Sequence, residues 1–301
     1  MTHINNITIN TEKIGNNKKI LSLSDLHATK KVGLEHLSMI KRTVNMDEID
    51  QIAIPGDIVN DVNELKNNKF RNGLLKALSD FAEGKDVFVS FGNHDLMTLG
   101  KHGWEEGNYL LLEETLQELS NFHLLHNGEK ITVDNITYSA FSPNFSYYED
   151  EKKKRRNLES PSDYRRAFFE NYNGNLFSND TFNILLTHEP QSIIKLSTKK
   201  GSCIQDNTDL VVSGHMHDGM VPHILKGFFG NKGIISPQRQ LLPNYARGVV
   251  EIDGTNFIIN GAVNTMVENS LINEIYGANA TVIDLQKVKK RESLKTLFQR
   301  L

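Results

Sequence analysis

The stretch DLVVSGHMHDG, residues 209–219, passes from an apolar run to a cluster of polar side chains. Leu210-Val211-Val212, bounded by a turn signal, suits a short strand buried on both faces. Two histidines, His215 and His217, follow it, separated by one Met. Residues two apart in an extended chain share a side, so both imidazoles are expected to reach one cluster.

The same shape recurs upstream. KILSLSDLH (19–27), QIAIPGDIVND (51–61), DVFVSFGNHD (86–95) and FNILLTHEP (182–190) each run from apolar to polar. Between them GLEHLSMIKRTV (33–44) and RNGLLKALSDFAEG (71–84) space their apolar residues as helices do, with Gly84 placed to end the second. KITVDNITYSAF (130–141) predicts a hairpin turning at Asp134-Asn135, and GVVEIDGTNFIING (248–261) one turning at Asp253-Gly254. Strands alternating with helices, then hairpins, predict an α/β fold of mixed sheets covered by helices. With no internal repeat and no separating linker, residues 1–301 are expected to form a single domain.

Composition narrows the chemistry. Lys+Arg number 34 against Asp+Glu 37, a net charge of -3, so nucleic acid is disfavoured as a partner. The lone Cys203 cannot form an internal disulfide or a Cys-rich zinc site. The N-terminal stretch is polar, and no apolar run approaches the ~20 residues of a membrane span. The chain is therefore expected to be cytoplasmic.

In open α/β sheets ligands bind beyond the carboxyl ends of the strands. There the five runs supply Asp25 and His27; Asp57 and Asn60; Asn93, His94 and Asp95; His188; and His215 and His217. A set of oxygen and imidazole donors without thiolate suits Mn, Fe or Zn. Asp57, with two carboxylate oxygens, can bridge a pair of ions ~3.5–4 Å apart, the spacing that clamps both oxygens of a phosphoryl displacement.

Asp-x-His (Asp25, His27), Gly-Asp (Gly56, Asp57), Gly-Asn-His-Asp (Gly92 to Asp95), a single His after a strand (His188) and Gly-His-x-His (Gly214 to His217), in this order, resemble the calcineurin-like metallophosphoesterase superfamily. The resemblance is to its bacterial, phosphodiesterase-like branch and implies a four-layer α/β/β/α sandwich of two mixed sheets. By position it implies one divalent ion on Asp25, His27, Asp57 and His217, and a second on Asp57, Asn93, His188 and His215, with Mn favoured and Fe or Zn as alternatives. His94, in an extended segment, would point away from the Asn93 donor and contact the scissile phosphate or protonate the leaving oxygen.

What the resemblance implies for function is a dinuclear metal-dependent phosphohydrolase. It would cleave a phosphodiester, pyrophosphate or phosphomonoester by attack of a metal-bridging hydroxide, with a phosphodiesterase favoured. Protein phosphatases of the superfamily carry Gly-Asp-x-Val-Asp-Arg-Gly at the second block, whereas this chain reads Gly56-Asp57-Ile58-Val59-Asn60-Asp61-Val62. Asn60 is thus a catalytic candidate that can hydrogen-bond an imidazole without adding charge, and a protein substrate is disfavoured. A phosphate-ester small molecule or a lipid or nucleotide conjugate is the expected partner, with no obligate protein partner evident. A nuclease acting on DNA or RNA and a non-catalytic scaffold on the same fold are the alternatives.

Two segments outside the motifs are candidates for substrate choice. Residues 142–180 are a candidate cap insertion, in which Ser160-Pro161 would start a helix and Gly174 stop it. Residues 219–250 hold no acidic residue but include Lys226, Lys232, Arg239 and Arg247 around Phe228 and Phe229. This loop is expected to cover the site, to meet an anionic substrate, or to make a peripheral membrane contact. His3, His36, His102, His123, His126 and His223 belong to no motif and are assigned surface or core roles.

Overall fold

The computed structural model describes residues 2–30, 34–101, 103–145, 147–148, 177–197, 207–237, 239–264 and 275–289. In chain order its strands are β1 (Thr2–Thr11), β2 (Lys18–Ser22), β3 (Gln51–Pro55), β4 (Asp86–Ser90), β5 (Met97–Gly100), β6 (Gly103–Glu106) and β7 (Phe122–Leu124). They continue as β8 (Lys130–Val133), β9 (Ile136–Ala140), β10 (Phe182–Leu186), β11 (Leu210–Ser213), β12 (Gly248–Ile252), β13 (Thr255–Ile259) and β14 (Ala278–Lys287). The longer helices are α1 (Leu34–Thr43), α2 (Asn68–Ala82), α3 (Leu110–Leu116) and α4 (Pro190–Ser197).

One sheet has the order β1-β14-β2-β3-β4-β7 and the other β12-β13-β11-β10-β9-β8, while β5 and β6 form a separate hairpin. Both large sheets are mixed. In the first, β2, β3 and β4 are parallel and β14 runs antiparallel to β2; in the second, β9, β10, β11 and β13 are parallel, with antiparallel β8 and β12 at the edges.

The layering follows from side-chain alternation along fully buried strands. Ile52, Ile54, Val87 and Val89 pack with Leu37, Ile40, Leu74, Leu78 and Leu112 of the helices. Their alternates Ala53 and Phe88 pack instead with Tyr138, Ile184, Leu186 and Val212 of the opposite sheet. Leu185 and Val211 face outward against Ile193, Ile194 and Leu196 of α4. The result is an α/β/β/α sandwich. At its centre the rings of Phe88 and Tyr138 stack at 3.7 Å, and the Tyr138 hydroxyl donates to Gln51 Oε1 at 2.7 Å.

The expected elements form with small shifts. Helix α2 begins at Asn68, three residues before the predicted start, because the Asn67 side chain accepts from the Phe70 N–H. It ends where Glu83 and then Gly84 turn left-handed. Both hairpins turn where expected, with Asp134 and Asn135 at φ 53° and 65° and Asp253 and Gly254 at 49° and 85°. The expected helix from Ser160 to Gly174 lies outside the described residues, as do His102 and Cys203. No helix among the described residues is long and apolar enough to cross a membrane.

Truncating Phe88 to Ala empties the interface between the sheets and is expected to cost about 3–5 kcal/mol. Leu99→Ala, on a side chain 64% exposed, should stay within about 0.5 kcal/mol. Urea unfolding measures both.

Candidate metal centre

The carboxyl ends of β2, β3, β4, β10 and β11 meet at one rim. Asp25 N donates to Gly56 O at 3.2 Å and His27 N to Asp57 O at 3.0 Å, joining the loops after β2 and β3. Across the two sheets, His215 N donates to both Asp25 oxygens at 3.1 and 3.2 Å, and His188 Nδ1 lies 2.8 Å from Pro55 O.

The side chains do not converge by the extended alternation expected from sequence. Asp25, His27, Asp57, His215 and His217 lie at φ 55°, 43°, 57°, 67° and 46°. Left-handed backbone costs a non-glycine residue about 1–2 kcal/mol, and such strain persists only where surrounding structure enforces it. Glycines permit the close approach. A Cβ on Gly92 would overlap the Asp57 carboxylate, and one on Gly214 would overlap Ser24 and Asp25. Neither overlap can be relieved without moving a candidate ligand.

Asp95 holds two of the loops together. Its Oδ2 accepts from Asp57 N at 2.8 Å and Gly92 N at 2.9 Å, and its Oδ1 accepts from Ile58 N at 3.0 Å and Val59 N at 3.2 Å. Burial and the Asp57 charge oppose its ionisation, whereas the backbone donors favour it. Asp95 stands in the Gly-Asn-His-Asp block, but its role as a collector of backbone donors from two loops has no local sequence signature.

Six of the expected residues fall into overlapping groups whose donor atoms lie within 4.8 Å of one another: Asp25, His27 and His217; His27, Asp57 and His94; and Asp25, Asp57 and His188. His217 Nε2 lies 3.4 Å from Asp25 Oδ1, and the rings of His188 and His215 are 5.0 Å apart. Asn93, the residue before His94, has its Oδ1 buried without a hydrogen-bond partner.

The electrostatics fit a cation. The Nδ1–H of His188 donates to the Pro55 carbonyl, which turns Nε2 toward Asp57 Oδ2 at 3.0 Å. Two lone pairs cannot face each other at this distance in a buried site, so a proton or a metal ion must lie between them. Burial alone would lower the His188 pKa, but Asp57 and Asp25 raise it to about 10. Burial lowers His27 to about 4 and His215 to about 3, and it also lowers His217. These three therefore present neutral imidazoles, the form that binds metal. Burial works against the charge on Asp25 and Asp57, but the surrounding imidazoles hold both carboxyls below their usual range.

Two expectations need correction. His94 is not in an extended segment: Asn93 has helical angles and His94–Leu96 form a single tight turn, which places the His94 N–H 2.8 Å from Asp57 Oδ1. The group beside His94 Nδ1 is the backbone carbonyl of Asn60, at 2.8 Å, whereas the Asn60 side-chain oxygen has no partner. The sequence reading also missed Trp104 on the β5–β6 hairpin, whose ring meets His94 edge-on at 4.8 Å. No local pattern identifies that contact.

A family model described as calcineurin-like phosphoesterase matches residues 18–219. An uncharacterized metallophosphoesterase of Helicobacter pylori (strain ATCC 700392 / 26695) is 26% identical over 210 residues, covering 70% of this chain and 47% of that protein. Another from Aquifex aeolicus (strain VF5) is 23% identical over 257 residues, covering 84% and 80%. The chain thus spans about half the length of the Helicobacter relative. A solved dimetal phosphatase from Danio rerio is 9% identical with a TM-score of 0.43, covering 81% of this chain and 87% of that one.

Because His188 holds its proton up to about pH 10 in the metal-free chain, a cation must displace it. Calorimetric titration near pH 7 in buffers of different ionisation enthalpy should show release of about one proton, with affinity rising about tenfold per pH unit toward that value. Asp95→Asn replaces an acceptor oxygen with a donor facing backbone N–H groups. It is expected to weaken metal binding roughly 10–100-fold in the same titration.

Proposed function

The chain belongs to the calcineurin-like phosphoesterase family, and on that premise we propose that it is a metal-dependent phosphoester hydrolase using two divalent ions, with Mn favoured over Fe or Zn. The observation that carries the reading is the convergence at one buried rim of Asp25, His27, Asp57, His94, His188 and His217, whose donor atoms form overlapping groups within 4.8 Å of one another. Asp25, His27, Asp57 and His217 would hold one ion; Asp57, Asn93, His188 and His215 the other. Bound divalent ions supply hydroxide near neutral pH and neutralise charge on phosphoryl oxygens.

In this reading His94 is the general acid. With Nδ1–H held by the Asn60 carbonyl, its protonated form offers Nε2–H to the departing oxygen and returns to the neutral imidazole once the proton is transferred. The Asn60 carbonyl fixes the orientation of the His94 ring, the hydrogen bond expected of the Asn60 side chain. Trp104 packs edge-on against the His94 ring and limits its rotation.

A phosphodiester or pyrophosphate is favoured over a protein phosphomonoester. The second block lacks the Arg with which protein phosphatases grip phosphate. A cavity of about 450 Å3 shares Leu96 with the His94 turn; Phe91, Tyr109 and Phe145 line it together with the polar Glu106, His126 and Asn127, which gives room for an organic substituent of the ester.

Metal-stripped protein restored in turn with Mn, Fe, Zn or Mg should regain hydrolysis of bis-nitrophenyl phosphate in preference to nitrophenyl phosphate. Asp57→Ala should lose metal and turnover together. His94→Ala should keep its metal and lose about 10²–10⁴-fold on an ester with an unactivated leaving group. A folded, metal-loaded protein inert toward both esters would contradict the hydrolytic reading, and equal rates for His94→Ala and the parent would remove the acid role.

A further inference from the structure

The chain leaves His217 into an excursion that returns at β12, and this excursion carries the three most exposed large apolar side chains among the described residues, with Leu242 close behind. Phe228 is 89% exposed, Ile224 86%, Leu241 75% and Leu242 62%. Ile224 and Phe228 are four apart on a helical run, His223–Leu225 continuing as Lys226–Phe229, so they share a face. Leu241 and Leu242 stand on the returning arm.

The excursion is braced. Gly233 N donates to Pro243 O, Leu242 N to Ile234 O and Ala246 N to Asn231 O, and Ile234 N donates to Gly219 O at 2.7 Å. Beneath it Asp218 pairs with Lys226 and, at 2.8 Å, with Arg247 Nε. Arg247 Nη1 donates in turn to the carbonyls of Lys226 and Gly230 at 2.9 and 3.0 Å. Two of the basic residues expected to meet a substrate thus serve as internal struts. The bracing holds the apolar side chains outward.

The remaining charge decides what they meet. Residues 219–250 contain no Asp or Glu, and Lys232 and Arg239 are exposed with no ion pair among the described residues. A symmetric second copy would bring these cations against their own kind, whereas an anionic bilayer offers hydrocarbon for the apolar residues and phosphate for the cations. We propose that this excursion docks the protein on an anionic lipid surface, with Ile224, Phe228, Leu241 and Leu242 entering the headgroup boundary and Lys232 and Arg239 meeting lipid phosphates. The inference concerns binding and stands independently of the hydrolytic reading.

The test is co-sedimentation of the full chain with phosphatidylcholine vesicles with and without phosphatidylglycerol, at low and high salt. The parent should bind the anionic vesicles, and more weakly at high salt. Ile224→Ser/Phe228→Ser should reduce partitioning by about tenfold or more, and Lys232→Glu/Arg239→Glu several-fold on anionic vesicles only. Leu241→Ser/Leu242→Ser serves as the second apolar variant, with near-ultraviolet dichroism and thermal unfolding reporting that each variant is folded. Failure of the parent to bind anionic vesicles, or equal binding by the folded apolar variants, overturns the proposal. So does a parent dimer in sedimentation velocity that Ile224→Ser/Phe228→Ser abolishes while vesicle binding is absent.

Discussion

His188 Nε2 and Asp57 Oδ2 face each other at 3.0 Å in a fully buried position, and the Pro55 carbonyl has already taken the other ring hydrogen. The arrangement is unfavourable without a positive charge between the two atoms. Much of the rim reads as the means of maintaining it. Five candidate ligands sit in left-handed backbone, two glycines let carboxylates approach where a methyl group could not fit, and Asp95 gathers the backbone N–H groups of Asp57, Ile58 and Val59 with that of Gly92. Binding energy from cations is the natural return for this strain.

The sandwich serves the same end. Each parallel strand brings its carboxyl end to one edge, and the packing of Phe88 on Tyr138 holds the two sheets together. Residues from blocks as distant as Asp25 and His215 can then share hydrogen bonds. The turn that presents His217 also carries Asp218, which braces the excursion beyond it. A candidate ligand and the brace of the exposed apolar excursion are thus neighbours in the chain.

Much of this was legible in the sequence because it depends on local pattern. Buried strands betray themselves by short apolar runs, and Asp134-Asn135 and Asp253-Gly254 specify their turns directly. The candidate ligands were legible as polar residues at strand ends, but His215 and His217 converge through a left-handed turn and not through extended alternation. What could not be read depends on partners distant in sequence. Nothing near Asn60 shows that its carbonyl, and not its amide, meets His94. Nor does composition reveal that Lys226 and Arg247 are consumed by Asp218 while Lys232 and Arg239 are left to solvent.

The central claim is that this strained, buried cluster holds two divalent ions. Anomalous diffraction at the manganese edge, from crystals of the metal-stripped chain soaked with Mn2+, tests it most directly. Two peaks ~3.5–4 Å apart, one beside Asp25 and the other beside His188 with Asp57 between them, are the predicted result. No peak within this cluster under conditions where the protein binds Mn2+ elsewhere would contradict it.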